Sequence, residues 1–453
     1  MRMRKWVPTL ALLALLTPTA AFPQSKTAKG GVYEQLNLFG EAFERIRQDA
    51  VEPVADRKLI ETAIAGMMSS LDPHCVYLSE AEYKAMQAPD QTATGSTGLV
   101  ITLDGGQVKV VSPRDGSPAA AAGIKPGETI FAIDKEPVYD LTLSEVEQKL
   151  RGPVDSEVTL TLRHADGKPS DVTVKRSDAK LTTVTSHLDG DDVGYVRIAG
   201  FDTDTQAALT AAIQDLQQKA SKKLVGFVID LRNDPGGGFD TAVAVADDFL
   251  DKGDIAIVKT RKGEDKRIAA TPGDLTNGLP LVVLVNGGTA REAELVAGAL
   301  QDDHRAVLVG TKTFGESAIE TVIPLNGNGA IRLTTARYQT PGGHAIQGKG
   351  LEPDLKVVPV KLERLAQGLS RREADLRGAL KNTDPTAAPV NPAPGKPGAP
   401  NPAPPNTATT PPPPKEASTA VASADLGASD DEQLIQALDM LRGLALVTAR
   451  NNQ

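Results

Sequence analysis

Along the chain the apolar positions change their period twice. Residues 32–92 carry them at helical spacing, in YEQLNLFGEAFERI and again in KLIETAIAGMMSSL, which predicts two amphipathic helices. The segment closes on LDPHCVYLS, where the Asp72-Pro73 step ends the second helix, because a residue before proline is pushed out of the α region. Over 95–180 the spacing shortens to alternation. LVITL, QVKVVSP, ETIFAID, EVTLTLRH and DVTVKR predict short strands, with two helical pieces, SPAAAAG and LSEVEQKL, between them.

After residue 181 the apolar runs become continuous, as in VGYVRIAG, LVGFVIDLR, LPLVVLV and AVLVG, the signature of strands covered on both faces. Helical stretches alternate with them: TQAALTAAIQDLQQKA, TAVAVADDFL and TAREAELVAGALQ. This alternation predicts an α/β core over 181–360, AIRLTTARY included, inside a multidomain α+β chain. No repeat of roughly 20–50 residues is visible, so a solenoid is set aside.

Composition alters the picture only at the two ends. Residues 384–429 are Pro, Ala, Thr and Asn, including PAPGKPGAPNPAPPN, and hold too little apolar surface for a core; a disordered, extended linker is expected. Residues 430–450 regain helical periodicity behind two acids, which predicts a docking helix for the core or for a second subunit. At the other end Arg2, Arg4 and Lys5 precede an apolar stretch from Trp6 to Leu16 and the small residues Thr19, Ala20 and Ala21. That layout predicts a signal peptide over 1–21 and an exported protein of the periplasm or cell envelope, with no membrane span once the signal is removed. Cys75 is the single cysteine, so no internal disulfide is expected. The net charge of −9 and pI near 5.3 come without a basic stripe, which argues against a nucleic-acid partner.

Two glycine turns follow buried strands. In DLRNDPGGGFD, Gly236 and Gly237 let backbone N–H groups approach a ligand as an oxyanion cradle requires, and they serve equally as a tight connection to the next helix. In LVVLVNGGTAREAE, Gly288 repeats the arrangement, and Thr289 and Glu292 are spaced as a capping box. Position 291 then falls in the first helical turn, where an α/β enzyme places a nucleophile. Its occupant is Arg291, which has no lone pair to attack a carbonyl and remains protonated. No G-x-S-x-G elbow or H-E-x-x-H helix is present, and His74, His164, His187, His304 and His344 are scattered without ligand spacing. No metal or cofactor is expected.

These motifs, with GMMSSLDPHCVYLS, SPAAAAGIKPGETIFAID, LRGPVDSEVTLTL, TTARYQTP and IQGKGLEPD, resemble the carboxyl-terminal processing peptidases, the tail-specific proteases of serine peptidase family S41. The resemblance implies a helical N-terminal region, an inserted PDZ domain, a peptidase core, and a Ser/Lys dyad often assisted by Gln. The family's G-[ST]-A-S-A-S-E reads GTAREAE here and its T-F-G-K-G-x-V-Q reads TFGESAIE. Arg291 thus stands in the serine's place, Glu316 in the lysine's and Glu320 in the glutamine's, and no catalytic residue is expected. Opposite charges at two neighbouring positions predict an Arg291–Glu316 ion pair. Thr289, Lys312 and Ser317 lie near without matching the family's geometry.

The PDZ resemblance assigns tail binding to Gly98, Leu99 and Val100 in GSTGLVI, with LSEVEQKL as the groove helix, although Ser96 or Thr97 takes the place of the loop's first glycine. The implied function is a peptidase homologue without its chemistry, an adaptor or regulator that binds protein C-terminal peptides, partnered by itself or by an active tail-specific peptidase. The rivals are a working serine endopeptidase with a non-standard dyad that cleaves C-terminal regions of envelope proteins, and a structural subunit with no peptide ligand.

Overall fold

The computed structural model describes residues 31–87, 94–139, 141–164, 167–178, 181–359, 426–427 and 431–451. The expected signal peptide, and the expected linker apart from 426–427, lie outside the described residues. The chain divides into two compact units, Met1–Ile64 and Ala65–Gln453. The first holds the helix Gly31–Asp49, with no buried residue, and most of the helix Asp56–Ser69, which runs across the division. That second helix stops at Ser69, ahead of the Asp72-Pro73 step. Asp72 instead organises the next turn, its carboxylate accepting from the His74 and Cys75 N–H groups at 2.9 Å each.

Within the second unit, the alternating strands form an antiparallel sheet in the order Leu99–Asp104, Gln107–Pro113, Thr129–Ile133, Glu157–Arg163, Pro169–Lys175. Their inward residues, among them Val108, Val110, Ile130, Val158, Leu160 and Leu162, build one apolar core with the helix Leu143–Leu150. That helix begins in a complete capping box: Thr142 Oγ1 accepts from Glu145 N–H and Glu145 Oε2 accepts from Thr142 N–H.

The continuous apolar runs form the four inner strands of a six-stranded sheet in the order Val184–Asp189, Val193–Ile198, Gly226–Asp230, Leu281–Val285, Ala306–Gly310, Leu355–Lys356, parallel after its first pair. Alternate residues face opposite sides. Val196, Ile198, Phe227, Ile229 and Val283 pack under the helices Thr205–Lys219, Phe239–Asp247 and Glu292–Asp302. Val193, Tyr195, Val228, Val282 and Leu284 pack under Leu434, Leu438 and Leu441 of the C-terminal helix Glu432–Asn451. Covering of both faces is the reason the inner strands Val193–Ile198, Gly226–Asp230 and Leu281–Val285 show no polar alternation, whereas the edge strand Val184–Asp189 alternates in burial.

A third sheet, antiparallel, is the part that the α/β alternation does not announce. Its long strand Ala330–Gln339 pairs with Ala318–Pro324 along its length, and also with Val76–Leu78 and Asp254–Thr260. The pairing Val76↔Arg332 carries the N-terminal turn containing His74 to the strand Ala330–Gln339, whose other neighbour is Ala318–Pro324, the strand that follows Glu316.

Candidate functional site

The parallel strands Gly226–Asp230 and Leu281–Val285 deliver their glycine turns side by side at their carboxyl ends. Asn286 ties the two together, donating through Nδ2 to Asn233 Oδ1 at 2.8 Å and accepting through Oδ1 from the N–H groups of Asn233 (2.9 Å) and Gly288 (3.0 Å). Thr289 belongs to this stitching and is not a helix cap. Its hydroxyl donates to Leu231 O at 2.8 Å and accepts from Asn286 N–H at 3.0 Å, so it is unavailable to the Glu292 backbone. The expected Thr289/Glu292 capping box is thereby corrected. The helix starts at Glu292, Arg291 is its N-cap, and the acid that reaches back is Glu294, whose Oε2 accepts from Arg291 N–H at 3.1 Å.

Arg291 has φ 52° and ψ −123°, a left-handed conformation that costs a non-glycine residue on the order of 1–3 kcal/mol. Strain of this kind marks the strand-to-helix elbow on which α/β enzymes raise a nucleophile. Here it raises a guanidinium. Arg291 Nε lies 3.6 Å from Glu316 Oε1 and 3.7 Å from Glu292 Oε2, and Nη2 lies 4.0 Å from Glu320 Oε1. Arg332 extends the network, with Nε 3.4 Å from Glu320 Oε2 and Nη2 4.0 Å from Glu147 Oε2 on the groove helix. The arginine therefore serves several carboxylates at ion-pair distance, and Arg291 Nε and Glu316 Oε1 each lack a hydrogen-bond partner.

Burial pushes the Glu316 and Glu292 carboxyls above the usual range, with the neighbouring cations pulling back. Glu294, wholly buried, is pushed up to about 8 by desolvation, against the Thr313 hydroxyl and the N–H groups of Glu316, Gly315 and Arg291 that all donate to it. Tyr338 closes the frame: its hydroxyl contacts Arg291 O at 2.5 Å and Glu316 O at 3.2 Å.

The glycine turns are built for close approach, since a Cβ on Gly236 (φ +90°) would meet Glu292 Oε2 at 2.5 Å. Their donors, however, are already engaged. Gly236 N–H donates to Asp234 Oδ1 at 2.8 Å, Gly237 N–H to Glu292 Oε2 at 2.9 Å, and Gly288 N–H to Asn286 Oδ1. Neither of the other nearby polar side chains completes a dyad: Lys312 pairs outward with Glu352 at 2.9 Å, and Ser317 is buried.

One residue of this site has no local signal in the sequence. His74 Nε2 lies 3.4 Å from Glu316 Oε1, and Nδ1 lies 3.9 Å from Glu320 Oε1. Only the pairing of Val76–Leu78 with Ala330–Gln339 brings it there.

Gly98, Leu99 and Val100 line a cavity of about 680 Å³ that also reaches Arg291 and Arg332, so the groove of the antiparallel module runs into the arginine site. Gly98 has φ +77° and a Cβ on it would fall 2.2 Å from Ser117 Cβ, which leaves glycine as the residue that fits. Its N–H is held by Ser96 Oγ at 3.0 Å.

Comparison with known proteins now gives the architecture a family. Residues 192–357 match peptidase family S41, residues 109–164 a PDZ domain, and residues 13–82 the N-terminal domain of the activating protease CtpB. The chain is 43% identical over 353 residues to a carboxy-terminal-processing protease of Bartonella bacilliformis, covering 77% of this chain and 81% of that one. It belongs to the S41 peptidases. The carboxy-terminal processing protease CtpA of Bacillus subtilis is 31% identical over 76% of this chain and 74% of its own length. Among solved structures the photosystem II D1 C-terminal processing protease superposes with a TM-score of 0.63 at 31% identity, covering 72% of this chain and 93% of that chain. Among the described residues of this S41 chain, no helix is long and apolar enough to cross a membrane.

Proposed function

We propose that this S41 homologue is exported to the cell envelope and has exchanged peptidase chemistry for binding. It holds protein C-terminal tails through its PDZ domain and acts as an adaptor or regulator, with a second copy or an active tail-specific peptidase as its protein partner. The observation that supports this reading is Arg291 at the strained N-cap of the helix Glu292–Asp302, facing Glu292, Glu316 and Glu320. By resemblance, a serine hydroxyl would stand at 291 and an unprotonated lysine at 316. Arginine cannot attack a carbonyl, and a carboxylate at 316 has no hydroxyl at 291 to deprotonate. The neighbouring Gly237 N–H, a donor that could hold an oxyanion, is occupied by a carboxylate that repels negative charge.

Two measurements test the proposal. Purified mature protein, incubated with a serine-directed fluorophosphonate probe and with peptides ending in apolar tails, is expected to show neither labelling nor cleavage. Turnover with covalent labelling would establish the working endopeptidase instead. The same peptides with free and amidated C-termini are then titrated in a fluorescence-anisotropy assay. Binding of the free form alone is expected, through Leu99 and Val100, and equal affinity for the two forms would remove the tail-binding role.

A further inference from the structure

We propose that His74, Glu316 and Glu320 form a binding site for a divalent transition-metal ion, of which Zn²⁺ is the representative. One nitrogen of His74 and one oxygen of each carboxylate all lie within 4.8 Å of one another. His74 Nε2 is 3.4 Å from Glu316 Oε1. Two ligands held about 2.0–2.1 Å from a tetrahedral ion stand about 3.3–3.4 Å apart, so this edge is already at its bound length. An imidazole with two carboxylates is a donor set that zinc accepts, whereas calcium and magnesium favour oxygen alone.

A second observation points the same way. Glu316 is 4% exposed, and its Oε1 is buried without a hydrogen-bond partner. A cavity of about 60 Å³ adjoins it, with His74, Glu316, Glu320, Arg291 and Arg332 on its polar side and apolar residues such as Val100 and Leu143 of the PDZ module on the other. Around this space the carboxylates of Glu292, Glu316 and Glu320 meet two guanidinium groups, those of Arg291 and Arg332, and the imidazole of His74, whose neutral form is the one that ligates a metal. The excess negative charge favours one more cation.

Arg291 is then the ion's competitor for Glu316. Its side chain is 28% exposed, so it has an outward path and keeps Glu292 as a partner when the ion takes Glu316. The ion site adjoins the tail-binding groove through Val100, which lines its cavity, but its ligands His74, Glu316 and Glu320 are not the residues assigned to the tail, so metal binding is read separately from peptide binding.

The test is a Zn²⁺ titration of the chelator-stripped full chain in competition with a chromophoric chelator, with Mg²⁺ and Ca²⁺ as controls. Saturable Zn²⁺ binding with Kd below about 10 μM is expected. His74→Ala and Glu320→Gln should each weaken it by about tenfold or more. Arg291→Ala should tighten it several-fold by removing a nearby positive charge. Zn²⁺ should also raise the Tm of the parent chain and not that of His74→Gln, a readout that holds if His74→Ala fails to fold. Absence of saturable Zn²⁺ binding, or binding indifferent to both His74→Ala and Glu320→Gln, would overturn the proposal.

Discussion

The hydroxyl of Tyr338 stands 2.5 Å from the carbonyl oxygen of Arg291, and 3.2 Å from that of Glu316. Both contacts are to main chain, so the segments carrying Arg291 and Glu316 are held in place whatever side chains they carry. This explains how a peptidase frame persists around a site that holds ion pairs. Tyr338→Phe keeps the ring's packing against Phe239, 5.9 Å between centroids, and removes the hydroxyl. A loss of about 1–2 kcal/mol is expected from urea denaturation, the usual range for a buried hydrogen bond. An unchanged midpoint would mean that the hydroxyl does not couple the two segments.

Arg232, fully buried in the turn that leads to Gly236, is gripped from the far end of the chain. Its Nη1 and Nη2 donate to the Asp431 carboxylate at 2.9 and 2.6 Å, and Nη1 also donates to Gln433 Oε1 at 3.0 Å, while Asp230 takes the other side. The C-terminal helix is therefore an integral layer of the S41 core. Asp431→Ala leaves a buried guanidinium short of one carboxylate and should cost about 2–4 kcal/mol by thermal or urea melting. Leu438→Ala, which removes apolar contact alone, should cost about 2–3 kcal/mol and leave the turn intact. If Asp431→Ala melts with the parent protein, the helix is not anchored through Arg232.

The strands Val193–Ile198, Gly226–Asp230 and Leu281–Val285 were legible in the sequence because burial on both faces removes polar residues from the run. Ala318–Pro324 and Asp254–Thr260 were not, since half-exposed strands mix Glu, Thr and Lys with their apolar residues. Val76–Leu78 has three residues, too few for any period to register. The Thr289/Glu292 spacing fits a capping box locally, yet the hydroxyl goes to Leu231 O on the neighbouring strand, a partner that local spacing does not reveal. His74 reaches the site for the same reason: a tertiary pairing, Val76↔Arg332, decides its place.

Asp234 supplies a pH dependence. It is wholly buried, Oδ1 accepts from Gly236 N–H, and Oδ2 has no partner. Burial pushes its carboxyl well above the usual range; the Gly236 bond and Arg197 oppose this, while Asp115 and Glu292 add to it. The folded state thus keeps the proton after the unfolded chain has lost it. Its contribution to stability is complete below the unfolded carboxylate pKa of about 3.9 and declines as pH rises above that value toward the folded pKa. Asp234→Asn imitates the protonated form at every pH. Between about pH 5 and pH 8 the urea midpoint of the parent should fall more steeply than that of the variant. Parallel curves would show that Asp234 is ionised in the fold.

Rebuilding the chemistry takes more than the dyad positions. The triple variant Arg291→Ser, Glu316→Lys, Glu320→Gln replaces the three positions that the proposed reading places, by resemblance, at the family's dyad and its assisting glutamine. It leaves Glu292, which stands where the family pattern has alanine and whose Oε2 takes the Gly237 N–H at 2.9 Å. A tetrahedral intermediate forming on the restored serine hydroxyl would meet a carboxylate in place of a donor. Losing one oxyanion donor costs on the order of 10²–10³ in rate. The triple variant should therefore cleave a fluorogenic apolar-tailed peptide barely above background. Adding Glu292→Ala should raise the rate by about 10²-fold or more, by freeing the Gly237 N–H. Equal rates for the triple and quadruple variants would show that Glu292 is no obstacle, and that the glycine turn has lost its oxyanion geometry in some other way.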